Sequence, residues 1–259
     1  MFFISIFTIL ISTNLSYSRS LKEILKDKKI IIGMYYKDEI PFFFHDIKGN
    51  FTGLDVDIAK EIGKELGVKV IFNRKAKSFN DLIDLLQNNE IDLIISWFSR
   101  TLKRATKIKF SIPYFIDYQT IIVNRLKFAQ LNKSNYNVNN LDTKKVSICT
   151  VKGTSYVESL KSMFLKANLT FDSTWETCFN KVLKGEIVAA FWTKTGILKE
   201  IIMHPEYNLE IKMINLKRKD YICIGVNAED ELLWQWVNLF LKLKNFNYTP
   251  ISLIKKYLR

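Results

Sequence analysis

The residues best equipped to hold a small charged molecule stand in two short stretches. The first holds Ser99, Thr101 and Arg104. A guanidinium offers two parallel N–H donors that match the two oxygens of a carboxylate, and a hydroxyl with backbone N–H groups at a helix start would complete the cradle. On spacing alone Arg104 also reads as a solvated side chain, because Lys103 and Lys107 flank it. The second stretch is Gly153-Thr154-Ser155, directly ahead of a helical pattern. Its hydroxyls and N–H groups suit an anion and equally suit a plain helix cap; one residue can serve both. His45-Asp46 invites an acid–base reading, but the pair lies beside a turn and no nucleophile is near it in sequence, so it reads as an exposed polar turn. Cys149, Cys178 and Cys223 lack metal-ligand spacing, and with only two histidines a zinc site is not expected. No cofactor is expected. One disulfide and one remaining thiol are allowed, with no pairing favoured.

These stretches need elements to position them. Residues 29–34 read as a buried strand ending near Gly33, followed by a hairpin over Pro41 to Thr52 with its turn at Lys48-Gly49-Asn50. Asp55 is expected to cap a helix running to Leu66, which Gly67 stops. A strand at 68–73, a helix at 79–87 and a buried strand at 91–96 follow. A second set begins near Tyr118. It has strands at 119–124, 144–151, 186–192 and 220–227, helices at 156–167 and 176–184, and a polar stretch at 130–140. Helices at 229–244 and 251–257 close the chain. Alternating strands and helices in two sets imply α/β layers.

The 259 residues are 48% hydrophobic, enough for a sizeable core in one or two domains. Residues 1–18 read as a secretory signal peptide, with an apolar run from Phe2 to Ile11 and small residues at Ser16 and Ser18. That run is too short for a comfortable membrane span. No cysteine stands at the cleavage point, so no lipid anchor is expected. The net charge of +13 comes from lysines scattered along the whole chain. Without a basic arm or a nucleic-acid motif, nucleic-acid binding is not expected.

Four pieces, in this order, resemble one known family. They are Gly33 with 41–46, Gly49 and 53–59; 91–96 with Ser99, Thr101, Arg104 and 110–114; 151–156; and Gly225-Val226 with 229–233. Together they resemble the amino-acid-type periplasmic solute-binding proteins of ABC importers, over nearly the whole of the chain after residue 18. The resemblance implies an α/β, two-lobed periplasmic-binding-protein type II fold with two crossing hinge strands, at 119–124 and 222–226. Lobe 1 would be 19–120 plus 225–259, and lobe 2 would be 121–224. It implies a monomeric, periplasmic receptor that is not an enzyme. The receptor would hold an amino acid or related carboxylate between its lobes and deliver it to an ABC permease in the inner membrane.

In the family register Arg104 is the carboxylate ligand, with Ser99 and Thr101 beside it and Thr154 and Ser155 across the cleft. Phe79 falls at an aromatic wall position, and Tyr35 and Phe42 lie on the loop that supplies a second wall, where Phe42 also reads as core. Two departures stand out. The lobe-2 acid that pairs a ligand ammonium is replaced by Thr193, with Val188 earlier in the same strand. Either another acid substitutes, with Asp117, Asp38 and Glu39 as candidates, or the ligand carries no α-ammonium. Trp97 stands where the family has Gly or Ser, and its bulk would narrow the pocket or stack on the ligand. Two competing functions are a cyclohexadienyl-dehydratase-like enzyme, whose acidic residue has no match here, and a ligand-sensing partner of a membrane receptor.

Overall fold

The structure, a computed structural model, describes residues 19–131 and 135–258. The expected leader at 1–18 lies outside the described residues. The elements of the first half are α1 (Leu21–Asp27), β1 (Lys29–Tyr35), β2 (Phe44–His45), β3 (Phe51–Thr52), α2 (Leu54–Leu66), β4 (Lys69–Ala76), α3 (Asp81–Gln87), β5 (Leu93–Ile94) and α4 (Leu102–Ala105). The long strand β6 (Ile108–Asn124) then crosses to α5 (Arg125–Ala129), β7 (Ser147–Val151), α6 (Tyr156–Met163), β8 (Asn168–Asp172), α7 (Trp175–Leu183), β9 (Ala189–Thr193), α8 (Lys194–Met203) and α9 (Tyr207–Glu210). The strand β10 (Ile211–Asn227) crosses back to α10 (Glu231–Lys244) and α11 (Pro250–Tyr257).

Eight of the described strands form one sheet in the order β4-β1-β5-β10-β6-β9-β7-β8, and β2 pairs with β3 apart from it. The two halves of the large sheet mirror each other. In one, β4, β1 and β5 run parallel and β10 closes antiparallel; in the other, β8, β7 and β9 run parallel and β6 closes antiparallel. Parallel strands are covered on both faces and carry unbroken apolar runs, as in β9, where all five residues are buried. β6 and β10, each 17 residues long, pair from Ile108 to Asn124 and join the two lobes. The crossing pair is therefore longer than the short segments at 119–124 and 222–226.

Local sequence explains most boundaries and several surprises. Gly67 ends α2 in the left-handed conformation and donates to the carbonyls of Gly63 and Lys64, as its position foretold. Asp55 does not cap that helix; Gly53 is the N-cap, at a φ of 122°. A side chain at position 53 would meet the Phe42 carbonyl at 2.3 Å, so the turn requires glycine. The helix expected over 156–167 stops at Met163, and β8 follows. α1, α8 and α9 were not foreseen. α8 begins because Thr193, read as a strand end, caps it by accepting from the Gly196 N–H.

Cys149 on β7 is disulfide-bonded to Cys178 on α7, 29 residues away, and Cys223 is a buried free thiol. Closing a loop of that length removes chain entropy from the unfolded state, worth about 2–4 kcal/mol. Replacing both cysteines by alanine should lower the urea-unfolding free energy by about that amount. An unchanged denaturation midpoint would show that the crosslink contributes nothing.

Candidate functional site

The site lies where the carboxyl ends of the parallel strands of both halves converge, the usual place for ligands in open α/β sheets. Ser96 to Ser99 follow β5, Gly153 to Tyr156 follow β7, and Thr193 ends β9. Phe79, Trp97, Ser99, Arg104, Thr154, Ser155, Tyr156, Trp192 and Thr193 enclose a cavity of about 20 Å³. That is room for roughly one water. A wider pocket of about 380 Å³, which shares Arg104, Thr154 and Ser155, opens outward between α3, α4 and the start of α6.

Arg104 sits on α4 and is 5% exposed. Thr101 caps α4 by accepting from the Arg104 N–H at 3.1 Å. Thr101 thus fixes the arginine backbone and lines the outer pocket, and it does not border the inner cavity. Of the five guanidinium N–H donors, Nε and one on Nη2 go to Asn80 Oδ1, and one on Nη1 goes to the Ser99 carbonyl. Among the described residues one N–H on each Nη is left without a partner, the pair that a carboxylate engages in a fork. The Phe98 ring lies 4.1 Å from the guanidinium carbon, a cation–π contact that steadies the group. Burial lowers the arginine to about 10, with nearby Asp220 opposing, so it stays cationic at neutral pH.

Trp97 has a φ of +46°, which few non-glycine residues adopt. The backbone is held there because its N–H donates to Asp55, which also accepts from Tyr114 Oη at 2.9 Å. The buried aspartate that failed to cap α2 therefore anchors the cleft. The Trp97 ring stacks on Phe42 at 4.6 Å and meets Trp192 of the other lobe edge to face at 5.9 Å. Trp192 in turn stacks on Trp175 and leans on Tyr156.

The other wall residues divide. Phe79 borders the inner cavity, and Tyr35 stacks behind it at 4.8 Å, outside the cavity. Phe42 is wholly buried, a core residue that supports Trp97 without reaching the cavity. Thr154 donates from Oγ1 to the Val151 carbonyl at 2.7 Å and receives the Tyr156 N–H at 3.3 Å. Gly153 has a φ of +74°, and a Cβ there would lie 2.8 Å from Ser78 Cβ on the opposing lobe, so only glycine allows this approach.

Four residues that line or back the cavity escaped the sequence reading: Asn80, Tyr156, Trp192 and Asp220. Asp220, buried on β10, accepts from Ser99 Oγ at 2.9 Å and from Tyr156 Oη at 2.8 Å. Burial raises it, against both hydroxyls and Arg104. Its signal was an acid opening the otherwise apolar run 220–226. Asp117 stands directly opposite on β6; burial raises it to about 6, and its Oδ1 accepts from the Tyr118 and Thr195 N–H groups. Of the other proposed acids, Asp38 pairs with Arg74 at 2.8 Å and touches His45, outside the cavity. Glu39 does not border the cavity either. His45 ends β2 as an exposed polar residue and Asp46 follows it at the turn, where it accepts from the Asn50 N–H.

The profile of the bacterial extracellular solute-binding proteins, family 3, matches residues 30–258. A glutamine-binding protein of Geobacillus stearothermophilus is 26% identical over 171 residues, which are 65% of this chain and 62% of the relative, less than two thirds of its length. An amino-acid-binding protein of Dichelobacter nodosus is 25% identical over 86% of this chain and 85% of its own. Among solved structures, an ancestral amino acid-binding protein described as a precursor of cyclohexadienyl dehydratase superposes with a TM-score of 0.76. It is 26% identical, covering 92% of this chain and 99% of that one.

Asp55 gives the site a pH signature. Burial raises its carboxyl to about 7, above the usual value of about 3.9 in an unfolded chain. The folded state then binds the proton more tightly, so unfolding free energy falls as pH rises from about 4 to about 7. Urea unfolding at about pH 5 and about pH 7.5 should show this loss in the wild type and a smaller one in Asp55→Asn. An equal loss in both would remove Asp55 as a cause.

Proposed function

The chain belongs to the bacterial extracellular solute-binding proteins, family 3, and from that premise we propose that it is the periplasmic receptor of an ABC importer. It captures an amino acid or related small carboxylate between its lobes and presents it to the permease. The boundaries that fit this reading are 19–120 plus 225–259 for lobe 1 and 121–224 for lobe 2. The observation that carries it is the Arg104 guanidinium, buried and immobilised at the cavity with one N–H left on each Nη. Thr154 and Ser155, at the start of α6 on the opposite lobe, border the same cavity; Thr154 Oγ1 is committed to the Val151 carbonyl, and Ser155 supplies the hydroxyl to a bound carboxylate. Trp97, Phe79, Tyr156 and Trp192 pack the apolar part.

The relatives' names support an amino acid as ligand, and the receptor role fits better than an enzyme on this fold. The strand positions where a dehydratase-like acid was sought hold Val188 and Thr193, and Thr193 is committed to capping α8. Closing the lobes is the working motion of such a receptor. The approach of Gly153 to Ser78, and the ion pair of Lys103 with Glu158 at 3.4 Å, bridge segments that this reading assigns to opposite lobes.

Titrating the purified chain calorimetrically with the twenty L-amino acids should reveal tight binding of one or a few. Arg104→Met should weaken the best of them by about 2–5 kcal/mol, roughly 30-fold to several-thousand-fold. No binding by the wild type, or an unaffected Arg104→Met variant, would refute the receptor reading. Gly153→Ala should weaken the same ligand while costing about 1–2 kcal/mol of fold stability. Full affinity in that variant would show that closure does not need the Gly153–Ser78 approach.

A further inference from the structure

The acid expected to neutralise a ligand ammonium is a threonine, and that threonine is engaged elsewhere. Thr193 Oγ1 accepts from the Gly196 N–H at 3.0 Å, so what it presents to the cavity carries no charge. The cavity nevertheless has a negative group one layer back. Ser99 and Tyr156, which come from opposite lobes and both border the cavity, each donate their single hydroxyl proton to Asp220 Oδ2. A hydroxyl has one proton to give. With that proton committed to the carboxylate, both oxygens have only lone pairs to offer the cavity, and hydrogen-bond polarisation makes them stronger acceptors.

Resting on the reading that the cleft takes an amino acid, we infer that Asp220 supplies the counter-charge for the ligand's ammonium through Ser99 Oγ and Tyr156 Oη. It does so in place of an acid at position 193. The cavity then matches a zwitterion. Arg104 turns two donors to the carboxylate, and the two hydroxyl oxygens, backed by Asp220, receive the ammonium. Ser99 joins the two ends, because its carbonyl holds Arg104 Nη1 and its hydroxyl holds Asp220. Asp117 lies opposite Asp220 in the β6–β10 register, is wholly buried and has an Oδ2 without a hydrogen-bond partner among the described residues. Asp220 is a positioning residue: it acts through the hydroxyls and does not border the cavity itself.

Selectivity between an amino acid and its 2-hydroxy counterpart separates this role from a structural one. The probes are L-alanine with L-lactate, L-glutamate with L-2-hydroxyglutarate, and L-phenylalanine with L-phenyllactate, each titrated calorimetrically into the wild type, Asp220→Asn and Ser99→Ala. The wild type should prefer the ammonium compound of its best-bound pair by at least about 100-fold, as sites built to pair a polar group do. Asp220→Asn keeps the size of the side chain and removes its charge, and should shrink that ratio at least about tenfold, mainly by weakening the amino acid. Ser99→Ala, which leaves Asp220 in place, should shrink it in the same direction. A parallel weakening of both members of the pair, with the ratio kept, would overturn the inference and leave the receptor reading intact. So would a wild type that binds the hydroxy acid as tightly as the amino acid. Failure of the wild type to bind any of the six compounds, or any other L-amino acid, would overturn both.

Discussion

Two opposite charges are buried beside one small cavity without forming an ion pair, and the rest of the structure is arranged to keep them so. Arg104 is held by Asn80 and the Ser99 carbonyl; Asp220 is held by the Ser99 and Tyr156 hydroxyls. A buried charge is costly unless hydrogen bonds or a partner offset it. Here Arg104 keeps two N–H donors for the cavity, and Asp220 acts on it through the Ser99 and Tyr156 hydroxyls. A zwitterion completes both, which gives closure of the lobes an energetic reason that does not depend on the ligand's side chain.

The fold supplies this arrangement by symmetry. Each half presents the carboxyl ends of its parallel strands to the cleft, and the turns after them carry the polar groups. The two long crossing strands do more than connect. β10 carries Asp220 and pairs with the segment after β5: the Cys223 N–H donates to the Phe98 carbonyl, and the Arg100 N–H to the Tyr221 carbonyl. The carboxylate and the stretch that holds Arg104 are therefore fixed to each other by backbone bonds. Across the cleft the connection is aromatic, running from Phe42 through Trp97 and Trp192 to Trp175. That wall limits the space for a side chain, and Asp55 holds the N–H of Trp97 in its unusual backbone.

Much of this was legible in the sequence. Arg104, Ser99, Thr154 and Ser155 were named from their residue types and the family resemblance, Phe79, Trp97 and Thr193 from the resemblance alone, and all seven border the cavity. What stayed hidden depended on contacts between distant segments. Asp220 lies 121 positions from Ser99 and 64 from Tyr156, and no local pattern distinguishes it from an acid at a strand start. Asp55 shows the converse: its local signal, an acid at the opening of a helix, pointed to a cap, and burial against Trp97 and Tyr114 overrode it. Phe42 and Tyr35 were placed on the right loop. Their depth in the core could not be read from a run of apolar residues, which looks the same whether it faces a cleft or a core. β8 was missed because it follows a short helix whose apolar spacing continues past its real end at Met163.

The most direct measurement is a crystal structure grown with the tightest-binding L-amino acid. The account expects its carboxylate to accept from both Nη atoms of Arg104 at about 2.7–2.9 Å, with its ammonium on Ser99 Oγ and Tyr156 Oη between closed lobes. A ligand bound elsewhere, or one seated in the cleft while the guanidinium turns away from it, would contradict the account.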